Sequence, residues 1–333
     1  MNSIGNQDSQ ITVGLDIGSK KIKCAIGKIQ DNRKRVSLLG FSEIESSGIK
    51  KGIIINRDEL IDKIEQVINN AELMADTKAT SLTLSITGEH IKCLNTQAAI
   101  SLNYTNGIAN GSRERIINKD DILQVLNSSQ SISLPIDRDI LHTIPQEYSV
   151  DTLEEIKSPL GMTGRRLESK VHLITAASTA MNNFVSCVEE LGLRVDGLVF
   201  QPIASSLSTL KKDEMELGIT LVDLGYTTTN IAVYHKGSIR HSGIIPIGSK
   251  SITNDIAVML QIGLEESEKI KIKYASALAS MSSSELNIEI SDIGDEKKRS
   301  VSENEISKYV EARMQEIFQM VIQEISRADV KDP

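Results

Sequence analysis

Asp16-Ile-Gly-Ser-Lys-Lys-Ile-Lys-Cys-Ala-Ile26 and Asp223-Leu-Gly-Tyr-Thr-Thr-Thr-Asn-Ile-Ala-Val233 align without a gap. They share the aspartate, the aliphatic residue after it, the glycine, and the alanine at Ala25 and Ala232. Ahead of the first copy, Ile11, Val13, Leu15 and Ile17 alternate with other residues, the period-two pattern of a strand, and Ile22, Cys24 and Ile26 resume it. A break at residues 31–34 leads into a third candidate strand, Val36 to Phe41. The second copy is preceded by Ile219 to Leu224 and followed by a Lys236-Gly237 turn into Ser238 to Ile244. A single Asp-x-Gly turn between strands is ordinary structural punctuation. Two gapless copies point to a duplicated domain, each meander offering its turn to a shared ligand. Neither copy carries the GxxxxGK[ST] run and helix of a P-loop.

The turn residues suit a nucleoside triphosphate. Gly18 and Gly225 allow close backbone approach, successive N–H groups form an anion nest, and Ser19, Thr227 and Thr228 add hydroxyl donors. A carboxylate beside phosphate is repelled, so Asp16 and Asp223 make sense as outer-shell holders of magnesium through water. Lys23 either points its charge at the same phosphates or is an exposed strand lysine.

At 333 residues and 40% hydrophobic, the chain is too long for one core and suits two to four small domains. Thirty-seven basic against 45 acidic side chains leave a net charge of −8, which argues against a nucleic-acid binder. Four Phe, six Tyr and no Trp leave little for base stacking. Cys24, Cys93 and Cys187 are odd in number and far apart, which disfavours a disulfide framework or zinc site and fits a reducing compartment. The first ten residues are polar and unlike a signal peptide, and no apolar run reaches the roughly 18 residues of a membrane span. A cytoplasmic protein is expected.

The paired motifs resemble the actin/Hsp70/sugar-kinase superfamily, and within it the FtsA family of bacterial cell-division proteins. Gly14-Leu-Asp-Ile-Gly-Ser19, Ala71-Glu-Leu-Met-Ala75 and His142-Thr-Ile-Pro-Gln-Glu-Tyr148 carry the likeness. So do Ile156-Lys-Ser-Pro-Leu-Gly161, Lys170-Val-His-Leu-Ile-Thr175 and Arg240-His-Ser-Gly-Ile-Ile-Pro246. The resemblance implies an α/β actin-like ATPase fold: two duplicated domains of mixed sheet flanked by helices, with a small α+β insert. It divides the chain into a disordered tail (1–10), domain 1A (11–84 and 165–196), an SHS2-like inserted subdomain 1C (85–164), domain 2A (197–250 and 301–333) and subdomain 2B (251–300).

The resemblance also implies ATP and magnesium held by Asp16, Gly18, Ser19, Lys20 and Lys23 on one side and Asp223, Gly225, Tyr226, Thr227 and Thr228 on the other. The metal would be bound through water by Asp16 and Asp223. Glu265 to Lys271 resembles an adenosine-holding motif, with Glu268 and Lys271 at i, i+3 on one helix face; that spacing fits a solvated ion pair equally well. Gln201 matches a position that orients the attacking water, which an amide can do without acting as a base. Its structural alternative is a polar helix-start residue before Pro202.

Two departures stand out. Tyr226 replaces a frequent glycine and Asn230 a frequent aspartate, so looser phosphate geometry is expected at the second turn. Family members also continue with a strand ending in Gly-Gly and, later, an amphipathic membrane-targeting helix. The chain, ending at Asp332-Pro333, is therefore expected to be C-terminally incomplete.

The function implied is an ATP-binding scaffold that polymerises and links FtsZ filaments to the cytoplasmic face of the membrane at the septum. Nucleotide would act as a conformational clamp, with slow hydrolysis at most. Implied partners are the FtsZ C-terminal peptide through 2B, later division proteins through 1C and further copies of the chain. Membrane contact would come only through a helix outside this chain. Alternatives on the same fold are a pilus or secretion assembly ATPase and a small-metabolite kinase. The kinase would need an acceptor base beyond the two hairpin aspartates.

Elsewhere, Leu60, Ile64, Val67 and Ala71 predict a helix over Asp58 to Met74, and Ser81 to Thr87 a strand. Helices are expected over Asp120 to Ser128, Ser178 to Leu191, Ser251 to Leu260 and Leu264 to Ala277, a strand over Val195 to Phe200, and a loop over Asn103 to Ser112. Ser302 and Glu305 suggest a capping box before an amphipathic helix through Ile306, Val310, Met314, Ile317, Val321 and Ile325. Five glutamates and a lone Phe318 make it a core-packing helix rather than a membrane anchor.

Overall fold

The alternating strands of the first meander form as the sequence predicts: β1 (Ile11–Ile17), β2 (Lys21–Gln30) and β3 (Arg35–Glu45). The computed structural model describes residues 11–30, 35–102, 115–291 and 298–328. Expectations for the tail 1–10, the break at 31–34, the loop Asn103 to Ser112 and the terminus at Asp332-Pro333 lie outside those residues. The chain divides into two units. One takes the described residues up to Leu221 with Ala232–Gly243, and the other takes Val222–Ile231 with Ile244–Ala328.

In the first unit a short ribbon, β4 (Ile49–Lys50) and β5 (Ile53–Ile54), precedes α1 (Arg57–Ala75) and β6 (Ser81–Ile86). Asn56 caps α1 by accepting from the Glu59 N–H. β6 returns parallel to β1, and β13 (Arg194–Phe200) pairs parallel with β6, giving the order β13-β6-β1-β2-β3. The apolar stripe of α1 lies on this sheet. Leu60, Ile64 and Val67 are fully buried, as are Ile22 and Ile26 of β2. Each such side chain contributes about 1.5–3 kcal/mol by leaving water.

The insert follows: β7 (Ile91–Ser101), β8 (Arg115–Ile116), α2 (Lys119–Gln130), β9 (Arg138–Val150), β10 (Leu153–Ile156), β11 (Thr163–Gly164) and β12 (Arg166–Ala177). Its main sheet has the order β10-β9-β12-β7. β12, which lies beyond the expected insert end at 164, is a central strand of this sheet. Leu102, Ile117, Val125, Tyr148, Val150 and Leu167 give the insert its own core. Then come α3 (Ser178–Glu189), β13, α4 (Gln201–Thr209), α5 (Lys212–Leu217) and the second meander, β14 (Ile219–Leu224), β15 (Thr229–His235) and β16 (Ser238–Ile245). The meander forms a three-stranded sheet in that order, with residues in both units.

The second unit holds α6 (Ser249–Leu260), α7 (Leu264–Tyr274), β17 (Asn287–Ser291), β18 (Lys298–Ser302) and α8 (Glu303–Ser326). α6, α7, the β17–β18 ribbon and α8 share one core, in which Ile252, Ile256, Leu260, Ile270, Ile290, Ile306 and Val310 are buried. Arg313 fixes α8 to α6 by a two-pronged bond to Asp255, at 2.6 and 2.9 Å. α8 is thus a core-packing helix. Ser302 caps it by accepting from the Glu305 N–H, and the Glu305 carboxylate takes the Tyr309 hydroxyl at 3.0 Å where the reciprocal capping bond was expected. Among the described residues no helix is long and apolar enough to cross a membrane.

Candidate functional site

In the first unit the site grows from the carboxyl edge of the five-stranded sheet. The β1–β2 register sets Asp16 opposite Lys23. The parallel pairings set Ser85 beside both Asp16 and Val199. Because Leu15, Ile17, Ile22 and Cys24 point into the core, Asp16 and Lys23 share the opposite face. The Ser85 hydroxyl donates to Asp16 Oδ1 at 2.9 Å. Just beyond, the Gly18 N–H donates to the Lys21 carbonyl at 3.0 Å, closing the turn through Ser19 and Lys20. A Cβ on Gly18 would lie 2.7 Å from that carbonyl oxygen, so only glycine fits without a backbone shift. Lys21 spends its charge on Glu43, while Lys23 is exposed.

Gln201 lies on the same edge, since Phe200 pairs with Ile86 and Gln201 is the first residue of α4. Its amide donates to Ser205 Oγ at 3.2 Å. Pro202 in the first turn starts the helix there. The preceding N–H, of Phe200, donates to His142 Nε2 at 2.9 Å. That bond requires a neutral ring with its proton on Nδ1, and burial holds the His142 pKa below its ordinary value. A histidine of the insert thus fixes the strand–helix junction that carries Gln201.

In the second unit the turn recurs. The Gly225 N–H donates to the Thr228 carbonyl at 3.0 Å, and a Cβ on Gly225 would lie 2.7 Å from it. Thr227 is half-buried, whereas Thr228 is buried and Asn230, in the place of Lys23, is 3% exposed. Helix α6 docks directly on this turn. Its first N–H groups, of Ser249 and Lys250, donate to the Gly225 and Tyr226 carbonyls at 2.9 and 2.8 Å. Gly248 is required for the approach, because a Cβ there would come within 2.6 Å of both carbonyl oxygens.

Glu268 and Lys271 of α7 are bonded to each other at 2.7 Å and are largely buried, at 17% and 13% exposure. Both also bond the Thr253 hydroxyl, and Lys271 donates to the Ser249 carbonyl at 3.3 Å. This is an i, i+3 ion pair, as the spacing allowed, but it braces α7 against the start of α6 rather than standing in solvent. Two ammonium groups stand near the Tyr226 ring, Lys250 at 5.7 Å and Lys271 at 6.0 Å from its centroid.

The first unit also gathers the scattered family-like segments into one polar network. Gln146 donates to the Ile239 carbonyl at 2.8 Å. Fully buried His172 bonds Asn95 Oδ1 and Ser242 Oγ, both at 2.7 Å. Glu147 accepts from Lys170 at 2.8 Å and Arg240 at 3.0 Å. Burial works to raise the Glu147 carboxyl, and those two bonds together hold it below its ordinary value. The insert is thereby fastened to β16.

The structure therefore brings Asp16, Gly18, Ser19, Lys20, Lys23 and Gln201 to one sheet edge, and Asp223, Gly225, Tyr226, Thr227, Thr228, Glu268 and Lys271 to one turn–helix cluster. Sequence reasoning missed Ser85, Gly248, Lys250 and Thr253. The signal available for three of them was Gly248-Ser-Lys at the step from strand to helix, followed one turn later by Thr253.

A family model described as "Cell division protein FtsA" matches residues 220–331, and one described as "SHS2 domain inserted in FTSA" matches residues 88–175. Cell division protein FtsA of Pseudomonas aeruginosa is 36% identical over 326 residues, covering 98% of this chain and 76% of the relative. The Neisseria meningitidis protein of that name is 37% identical over 314 residues, covering 94% and 73%. That of Escherichia coli K12 is 33% identical over 324 residues, covering 97% and 74%. Among solved structures, a PilM-PilN type IV pilus biogenesis complex aligns with TM-score 0.65 at 14% identity, covering 96% of this chain and 78% of that one. MreB 5 of Spiroplasma citri bound to AMPPNP aligns with TM-score 0.56 at 12% identity, covering 98% and 80%. These distant likenesses establish the actin-like ATPase fold, and the sequence relatives establish the rest: the chain belongs to the FtsA family of cell-division proteins.

Proposed function

We propose that the chain binds ATP with magnesium and serves as a polymerising scaffold that links FtsZ filaments to the cytoplasmic face of the membrane at the division site. The observation that carries this reading is the repeated turn, closed at Gly18 and Gly225 by the same 3.0 Å bond. The donor set fits the group. Turn N–H groups with Ser19, Lys20 and Lys23, and with Thr227 and Thr228, suit phosphate oxygens, while one strand-end aspartate per hairpin suits water-mediated magnesium. When bound, magnesium ATP would supply the concentrated negative charge these donors meet.

Glu268 and Lys271 hold the nucleoside side, and Gln201 orients a water. Because an amide takes no proton, hydrolysis is slow and nucleotide works chiefly as a conformational clamp. In this reading 11–84 with 178–196 is domain 1A, the insert 1C runs on through β12 to Ala177 and meets later division proteins and further copies, 197–250 with 301–333 is 2A, and 2B takes the FtsZ C-terminal peptide. Co-sedimentation with FtsZ filaments tests it. Binding is expected with intact FtsZ and lost with FtsZ lacking its C-terminal peptide; equal binding to both overturns the linking role.

A further inference from the structure

We propose that Lys250 is a phosphate-contacting residue of the second hairpin, and that Tyr226 is the positioning residue that holds it there. The proposal rests on the nucleotide reading above and deepens it. A tyrosine at this turn bars the closest backbone approach that a glycine would allow. A lysine reaching from the adjoining helix restores donor and charge at longer range.

The two lysines beside the Tyr226 ring are not equivalent. Lys271 is 13% exposed and its charge is matched by Glu268 at 2.7 Å, with further bonds to Thr253 and the Ser249 carbonyl. Besides its nucleoside role in that reading, it braces α7 against α6. Lys250 is half-buried, and its main chain is pinned to the very residue whose ring it approaches, N–H to Tyr226 carbonyl at 2.8 Å. Its ammonium stands 5.7 Å from the ring centroid. Attraction of the ammonium to the negative face of the ring favours that position. The end of α6 is not itself the anion site, because the Ser249 and Lys250 N–H groups are already bonded to the turn carbonyls. The side chain is what α6 contributes.

The test is equilibrium binding of magnesium ATP, magnesium ADP and adenosine to the full chain at low and high salt. Lys250→Ala is expected to weaken ATP and ADP roughly tenfold, to flatten the salt dependence and to leave adenosine unchanged. Lys250→Arg restores most of the loss. Tyr226→Ala weakens ATP about fivefold while Tyr226→Phe, which keeps the ring, binds as the unmodified chain does. Lys269→Ala, at an exposed lysine paired with Glu265, changes nothing. If Lys250→Ala binds ATP normally while Asp223→Ala does not, the Lys250 assignment falls and the nucleotide reading stands. Equal loss of adenosine and ATP in Lys250→Ala also overturns it, since the residue then acts through the fold. An unmodified chain that binds neither ATP nor adenosine overturns both.

Discussion

The first hairpin carries its own cations: Lys20, Lys21 and Lys23 are in the turn and the strand that leaves it, and the turn ends a five-stranded sheet. The second hairpin has Thr227, Thr228 and Asn230 in the corresponding positions, and its neighbouring cations, Lys250 and Lys271, come from two helices. Yet both turns close on the same glycine-to-carbonyl bond at 3.0 Å, and both exclude a Cβ at 2.7 Å. Duplication has thus kept the backbone, where glycine geometry leaves no latitude, and let the side-chain charge move to other elements. If both turns serve phosphate, each must fail when its aspartate is lost, whatever the source of its cations. Asp223→Ala is expected to abolish magnesium ATP binding by titration calorimetry. Unchanged affinity would make the second turn a structural echo of the first.

The strands behind the two turns also differ in what holds them. Behind the first turn, carbon packs on carbon: Ile22 and Ile26 of β2 lie against α1, and Leu15 of β1 is buried in the same core. In the second meander, β16 is held by His172, whose ring bonds Ser242 and Asn95 and is pushed down to about 4 by burial, with His241 adding repulsion. A histidine with a lowered folded pKa contributes its full stability above its unfolded value near 6.5 and loses it as pH falls toward 4. The loss is roughly 3 kcal/mol. Urea unfolding at pH 7.5 and pH 4.5 should show it, and His172→Asn should show a smaller acid loss than the unmodified chain. An identical loss in both would mean that the carboxylates, Glu147 among them, carry the acid sensitivity.

A smaller effect separates the turns by their supports. Gly248→Ala forces a Cβ to within 2.6 Å of the Gly225 and Tyr226 carbonyls, so α6 must lift from the second turn. Backbone atoms cannot rotate out of the way as a side chain can, and a cost of about 2 kcal/mol is expected in urea unfolding. A neutral result would show that the docking of α6 on the turn is dispensable.

Much of this was legible in the sequence because it is local or repeated. Period-two alternation marked β1 and β2, the 3.6-residue stripe marked α1 and α8, and the gapless repeat marked β14 and both turns before any strand was paired. The repeat pointed to duplication, and the actin-like fold was implied by the family resemblance that those paired motifs carry. Ser85 could not be read that way, because its place beside Asp16 depends on parallel pairing across 69 residues of chain, which no local pattern encodes. The burial of the Glu268–Lys271 pair was equally hidden, since spacing fixes a helix face but not what covers it. The family-like segments at 142–148, 170–175 and 240–246 were visible as text. Their physical reason, one network joining the insert to β16, appears only when Gln146, His172 and Ser242 meet.

Ser85→Ala is the mildest of these perturbations and bears on the first hairpin alone. The hydroxyl donates to Asp16 Oδ1 at 2.9 Å from a neighbouring strand, so its loss leaves the turn, its glycine and its lysines in place. What changes is the freedom of one carboxylate. A hydrogen bond of this kind contributes about 1 kcal/mol net, which sets a roughly fivefold weakening of magnesium ATP binding as the expected scale. Ser85→Thr keeps the hydroxyl on a strand that tolerates β-branching and should bind normally. Adenosine affinity should be the same in all three chains, because Asp16 is assigned to the metal and not to the base. If Ser85→Ala binds magnesium ATP as tightly as the unmodified chain, then Asp16 needs no fixed orientation. The first turn would then hold its ligand by lysines and backbone, and the two hairpins would differ in how they use the aspartate they share.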